Sequence, residues 1–186
     1  MNFNEHSELR GLHAFLSASK YHWINYDEDK LIERYERSLA IQRGNELHEL
    51  AQQLISYGVK LEKSKRTLNM YVNDAIGYRM TPEQILFYSV NCFGTADAIS
   101  FSEKTKLLRI HDLKTGDTPA SMHQLEIYDA LFCLEYGYNP FDIKHELRIY
   151  QSNDVMIHNP DPDDIIHIQD KIITFDKCIE KIKQEM

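Results

Sequence analysis

From about residue 27 to 78 the apolar residues recur at helical spacing; after Thr81-Pro82 a stretch rich in β-branched and aromatic types begins. A helix repeats every 3.6 residues and a strand every two, so a chain that does both must build a sheet and lay helices on it. Leu47, Leu50, Ala51, Leu54 and Ile55 lie at helical spacing and predict a long helix, or two abutting ones, over 27–56, ended by Gly58. A second helix is expected over 64–78. Strands follow over 85–93, 95–101 and 106–114. The chain then turns back into a helix from 117–122, with Ser121 as a candidate N-cap, that runs to about 136 before Gly137. Further strands over 143–151 and 155–158 and an amphipathic helix over 163–184 close the pattern. The order α, α, β, β, β, α, β, β, α predicts an α/β fold, a mixed central sheet flanked by helices, and excludes a bundle or a sandwich.

The 186 residues fit a single domain spanning 1–186, with no repeat, linker or low-complexity segment to divide it. A hydrophobic content of 42% against 27% charged residues is that of a chain with a real core. No apolar run is long enough for a membrane helix, and the polar start at 1–8 lacks the apolar stretch of a secretion signal, so the expected location is the cytoplasm. Cys92, Cys133 and Cys178 are too widely spaced for a metal knuckle and are expected to be buried free thiols. The only tryptophan, Trp23, is expected to be a core anchor.

A net charge of −8, from 21 basic and 29 acidic residues, argues against a protein that coats nucleic acid nonspecifically. An enzyme needs only a local basic lip. The run Lys60, Lys63, Lys65, Arg66 either supplies part of one or is a solvated turn.

Chemistry concentrates on the predicted strands. Alternation puts Thr95, Asp97, Ile99 and Phe101 on one face of their strand, and Ile110, Asp112 and Lys114 on one face of theirs. A carboxylate left uncompensated among apolar side chains costs several kcal/mol, so Asp97 and Asp112 each need a cation, an ion pair or donors. A shared divalent metal would compensate both. Lys114 is placed either to pair with Asp112 or to orient a water beside a metal, and spacing alone does not choose. On the long helix His48 lies beside Gly44, Ala51 and Ile55 at the margin of the apolar face, where small residues permit a close approach to the sheet. Gln124 and Tyr128, four apart on the later helix, project together.

His48, then Gly94-Thr95-Ala96-Asp97-Ala98-Ile99, then His111-Asp112-Leu113-Lys114-Thr115-Gly116, then Gln124-Leu125-Glu126-Ile127-Tyr128 resemble the ordered motifs of RecB-type PD-(D/E)XK nucleases. These include phage-encoded and CRISPR-associated exonucleases. The resemblance covers about residues 44–150, and Ser17 to Trp23 looks like an entry motif of some phage members, a short helix before the long one. It implies a restriction-endonuclease-like core and a metal bound by His48, Asp97, Asp112 and the carbonyl of Leu113. It further implies that Lys114 serves the attacking water and that Gln124 and Tyr128 position substrate. Asp112 stands where many relatives use Glu, and the cysteine quartet of iron-sulfur members is missing, so no cluster is expected.

The activity implied is that of a metal-dependent deoxyribonuclease, most simply an exonuclease, in phage or bacterial DNA recombination, repair or processing. The cofactor would be Mg²⁺ or Mn²⁺, with Mn²⁺ favoured by the imidazole ligand. Expected partners are single- or double-stranded DNA, with a homo-oligomer or a recombination protein as further possibilities, and no membrane. The competing reading is a catalytically inactive module that binds DNA or protein, such as an anti-defence factor. A metal-dependent phosphatase is a weaker third, since no Gly-rich phosphate loop is visible.

Overall fold

The computed structural model describes residues 5–185; residues 1–4 of the polar start and Met186 lie outside the described part of the chain. The chain divides into two compact units, one ending at Arg43 and the other beginning at Gly44. The boundary falls inside helix α1 (Glu28–Tyr57).

In the N-terminal unit a 3-10 segment, Ala18–Asn25, precedes α1, in agreement with the short helix expected there. Helix α1 opens on Asp27, whose carboxylate accepts the N–H of Lys30 at 2.8 Å, with Glu28 and Asp29 in the first turn. Acids at this end satisfy orphan donors and oppose the helix dipole. No described residue of this unit is buried. Trp23, expected in a core, is only half-buried, its indole N–H bonded to the carbonyl of Ser17 at 2.8 Å.

The C-terminal unit is built on one five-stranded sheet in the order β1-β2-β3-β4-β5. The strands are β1 (Thr81–Ser89), β2 (Cys92–Ser102), β3 (Leu107–Leu113), β4 (Lys144–Gln151) and β5 (Asp154–His158). β3 and β4 are parallel, joined through helix α3 (His123–Tyr136); the other neighbours are antiparallel, so the sheet is mixed. Helix α2 (Thr67–Gly77) packs on β3 and β4, α3 lies against β1 to β4, and α4 (Pro162–Glu185) packs on α3. The fold is therefore α/β with a mixed sheet flanked by helices.

Each face of the sheet seals its own core. Leu86, Leu108, Ile110, Leu147 and Ile149 meet Leu125, Leu131 and Phe132 of α3 and Ile165 and Ile172 of α4. Leu113, Tyr150 and Ala98 meet Ala51 and Ile55 of α1 and Tyr71, Val72 and Ala75 of α2. The C-terminal helix ends follow the expected signals, Gly58 (φ 67) and Gly137 (φ 71) adopting the left-handed conformation just past α1 and α3, whereas α3 starts only at His123, with Met122 and not Ser121 at its N-cap.

Two strand readings are corrected. The first strand begins at Thr81, not at 85, because β1 is a sheet edge and an edge strand tolerates the missing N–H of Pro82. The expected alternation Thr95, Asp97, Ile99, Phe101 also fails. Ala96 and Ile99 pack into one core and Ala98 into the other, so the two-residue period slips at Asp97. Opposite it, Glu83 takes φ 50 and drops out of the β1–β2 pairing between Pro82 and Gln84, whose register shifts only farther on, between Phe87 and Ser89. The cysteines are free as expected, but only Cys133 is buried and Cys178 is exposed.

Candidate active site

The β2–β3 ladder stops at the pair Ala98 and His111, and the strands' next residues carry the site. Past that point the N–H of Leu113 donates to Oδ2 of Asp97 at 2.8 Å. A backbone donor is thus satisfied by a side chain where the ladder has ended. The same oxygen lies 3.4 Å from Nδ1 of His48 on α1.

His48 reaches this place because α1 comes close to the chain after β3. Gly44 is buried, and a Cβ there would lie 2.7 Å from Oγ1 of Thr115. Ala51, one turn beyond His48, is buried as well. The small residues at Gly44 and Ala51 act as the sequence suggested.

Asp112 is 2% exposed on the β3 face that also carries Leu108 and Ile110. Its Oδ1 accepts from Nζ of Lys114 at 3.2 Å. The ammonium also lies 3.0 Å from Oδ2, an ion pair without the geometry of a hydrogen bond. A buried carboxylate oxygen without a partner costs on the order of 1–3 kcal/mol or more, so it calls for a ligand. Burial, and next the charge of Asp112, push Asp97 up to about 6, against the lowering effects of the Leu113 N–H and His48. Two carboxylates that repel each other away from water favour a cation between them.

Lys114 continues β3, its N–H donating to the carbonyl of Tyr150 at 2.9 Å. Its ammonium donates to Oε1 of Gln124 at 2.8 Å, and Nε2 of Gln124 donates to Oη of Tyr128 at 3.0 Å. Asp112, Lys114, Gln124 and Tyr128 therefore form one chain of hydrogen bonds. Gly94 makes room for it: a Cβ there would sit 2.8 Å from Cε1 of Tyr128.

The residue the sequence reading missed is Glu83. One donor atom each from His48, Glu83 and Asp97 lie within 4.8 Å of one another, an arrangement able to hold a metal ion. Asp112 is not part of that trio. The positive φ of Glu83 is uncommon for a residue with a side chain, and such strain gathers at functional sites. No pattern in the sequence announces it, because Glu83 follows the proline that looked like the end of a structured segment. From the opposite core Tyr71 approaches as well: burial, then the charge of Asp97, push its phenol far above the ordinary range.

The structure thus brings His48, Asp97, Asp112, Leu113, Lys114, Gln124 and Tyr128 to one end of the β2–β3 pair. The run Lys60, Lys63, Lys65, Arg66 is exposed between α1 and α2 and makes no ion pair among the described residues. Among the described residues no helix is long and apolar enough to cross a membrane. Comparison with models of protein families, with curated proteins and with solved structures finds no match to this chain.

Proposed function

We propose that this protein is a metal-dependent deoxyribonuclease with a PD-(D/E)XK-type core, acting as an exonuclease on phosphodiester bonds. The observation that carries the reading is the buried carboxylate of Asp112, whose Oδ2 has the ion pair to Lys114 but no hydrogen bond, with a second, half-buried acid, Asp97, close enough to be pushed up by its charge. A purely structural ion pair would satisfy both oxygens. One left open, next to a second acid and an imidazole, suits a divalent cation.

The donor set fits such an ion. His48, Glu83 and Asp97 bring a nitrogen and two hard carboxylates within reach of one ion, and Asp112, outside that trio, would add an oxygen only from the side; this mixture suits Mn²⁺ as well as Mg²⁺. When bound, the cation would lower the pKa of a water and draw charge from a nonbridging phosphate oxygen. The chain's own groups do the rest. Asp97 is held in place by the N–H of Leu113, so its carboxylate is oriented before any ligand arrives. Lys114, fixed between Asp112 and Gln124, holds its ammonium where it can orient a water and take charge from the leaving oxygen. Gln124 and Tyr128 hold the lysine on one side and offer an amide and a phenol to a phosphate on the other.

The test is digestion of end-labelled single- and double-stranded linear DNA and of closed circles, with Mg²⁺, Mn²⁺ or chelator. Linear substrates should shorten from an end with either metal and not with chelator, and Asp112→Asn and Lys114→Ala should leave them intact. Full activity in either variant, or DNA bound but never shortened by the wild type, overturns the reading; the second result would instead favour a binding module.

A further inference from the structure

The N-terminal unit holds a cavity of about 480 Å³ lined by Phe15, Lys20, Trp23, Tyr26, Arg34, Arg37, Ser38 and Ile41. Its volume lies in the range of small-ligand sites. Its chemistry is unlike the rest of the molecule. In a chain of net charge −8 the charged residues on this wall are Lys20, Arg34 and Arg37, with no acid among them.

Helical geometry explains the wall. Arg34 lies three and four residues before Arg37 and Ser38, and these lie four and three before Ile41, so all four share one face of α1, while Glu33 and Glu36 fall outside the cavity. Lys20, Trp23 and Tyr26 come from the 3-10 segment and its end, opposite that face. Among the described residues Lys20, Arg34 and Arg37 make no ion pair, although Arg109, Arg148 and Lys114 of the C-terminal unit all do. Cations of like charge gathered around one concavity without counter-ions repel each other, and an anion relieves that repulsion.

The aromatic residues narrow the choice of anion. Trp23 is oriented by its bond to Ser17, and Tyr26 carries the ammonium of Lys30 at 5.6 Å from its ring centroid. Flat rings beside cations match a ligand that is flat and anionic in alternation, as a nucleotide chain is. Guanidinium groups pair with phosphate in a fork and stack on bases, which fits the same ligand. An acidic peptide offers the charge but leaves the rings without partners.

We propose that this cavity binds a single strand of nucleic acid, with a base against Trp23 and Tyr26 and flanking phosphates on Lys20, Arg34 and Arg37. This rests on the nuclease reading only for the identity of the polymer, and it adds a second point of substrate contact on the N-terminal unit.

Trp23 is the only tryptophan in the chain, so its fluorescence reports on this cavity directly. The full chain is titrated in chelator and low salt with a short oligothymidylate, with an abasic oligomer of equal length, and with heparin. Oligothymidylate should quench the emission and bind roughly tenfold more tightly than the abasic oligomer, the difference expected for about one stacked base. The double variant Arg34→Ala/Arg37→Ala changes exposed positions on a helix. It should bind at least about tenfold more weakly, with a dependence on log salt shallower by about 1.4, the equivalent of two single-strand phosphate contacts. Arg34→Lys/Arg37→Lys should keep that salt dependence. Saturation without a change in emission, unaltered binding by the double alanine variant, or equal affinity for the abasic oligomer or heparin each overturns the proposal. Digestion separates the two readings. Loss of binding in the double variant of a protein that never cleaves DNA sinks the nuclease alone, whereas cleavage with unchanged KM in that variant sinks the cavity alone.

Discussion

Two buried carboxylates on the same sheet-and-helix core are treated in opposite ways. Asp129 on α3 is fully buried, and both its oxygens are used: Oδ2 lies 2.7 Å from Nδ1 of His145 and Oδ1 accepts from Sγ of Cys133 at 3.6 Å. The other ring nitrogen of His145 lies 2.9 Å from the carbonyl of Pro140. Asp112 is about as buried, yet one oxygen is left without a hydrogen bond beside a second acid. The difference teaches that burial of a charge says little about function, and that the completeness of its partners says much more. A satisfied pair reads as scaffold; an incompletely satisfied carboxylate beside a second acid is what the proposed metal site rests on.

The comparison breaks most visibly in catalysis. Asp112→Asn should lower the rate of DNA cleavage by about a thousandfold or more, while Asp129→Asn changes it only so far as the fold suffers, measured by digestion at matched folded concentration. Stability should show the reverse. Removing His145 with His145→Ala leaves Asp129 buried without its partner and should cost about 3 kcal/mol in a urea unfolding curve. A cost below about 1 kcal/mol would show that the pair is not structural.

Next in size is the response to metal. Mn²⁺ at about a hundred times its dissociation constant should stabilise the wild type by about 2.7 kcal/mol, visible as a rise in melting temperature. Glu83→Gln should weaken that binding, and an unchanged affinity would remove Glu83 from the site.

Above neutral pH the dependence comes from the scaffold pair. Burial lowers His145, but the hydrogen bond to Asp129 and its charge outweigh it and raise the imidazole above its ordinary 6.5. Burial also raises Asp129 despite His145. A folded value above the unfolded one means that the stabilisation is complete below pH 6.5 and is lost as pH rises through the raised value. Stability of the metal-free protein should therefore fall on the alkaline side, by at most about 1.4 kcal/mol per pH unit, and His145→Gln should flatten that limb.

The smallest effect sharpens the contrast. In metal-free protein Asp112→Asn should leave stability unchanged or raise it by about 1 kcal/mol, since it removes a poorly compensated buried charge. A loss as large as that of His145→Ala would place Asp112 with the scaffold.

Much of this was legible in local pattern. The change of period around residue 80, the glycines after α1 and α3, and the alternation Ile110, Asp112, Lys114 are properties of short stretches, and the structure follows them. So is the i, i+4 spacing that lets Gln124 bond Tyr128. These readings succeed because helix and strand periodicity act over a few residues.

What sequence could not supply depends on neighbours distant in the chain. Pro82 looked like a stop, yet it sits in a strand, because only sheet order decides which strand is an edge. Asp97 was assigned to a regular face, but the local break opposite Glu83 turns its surroundings over between Ala96 and Ala98. Glu83 joins His48 and Asp97 through that same break. Trp23 belongs to a unit too small to bury it.

The amino-acid order by itself determined the elements and their succession, and set Asp112 among apolar side chains, because each follows from the repeat of a helix or strand; the burial of His111, Asp129 and His145 it did not show. Tertiary structure alone decided which of those polar groups would be satisfied. Asp129 on α3 meets His145 from β4, whereas Asp112 meets only its near neighbour Lys114 and keeps one oxygen without a hydrogen bond; whether a distant partner arrives is settled only once remote segments are packed together.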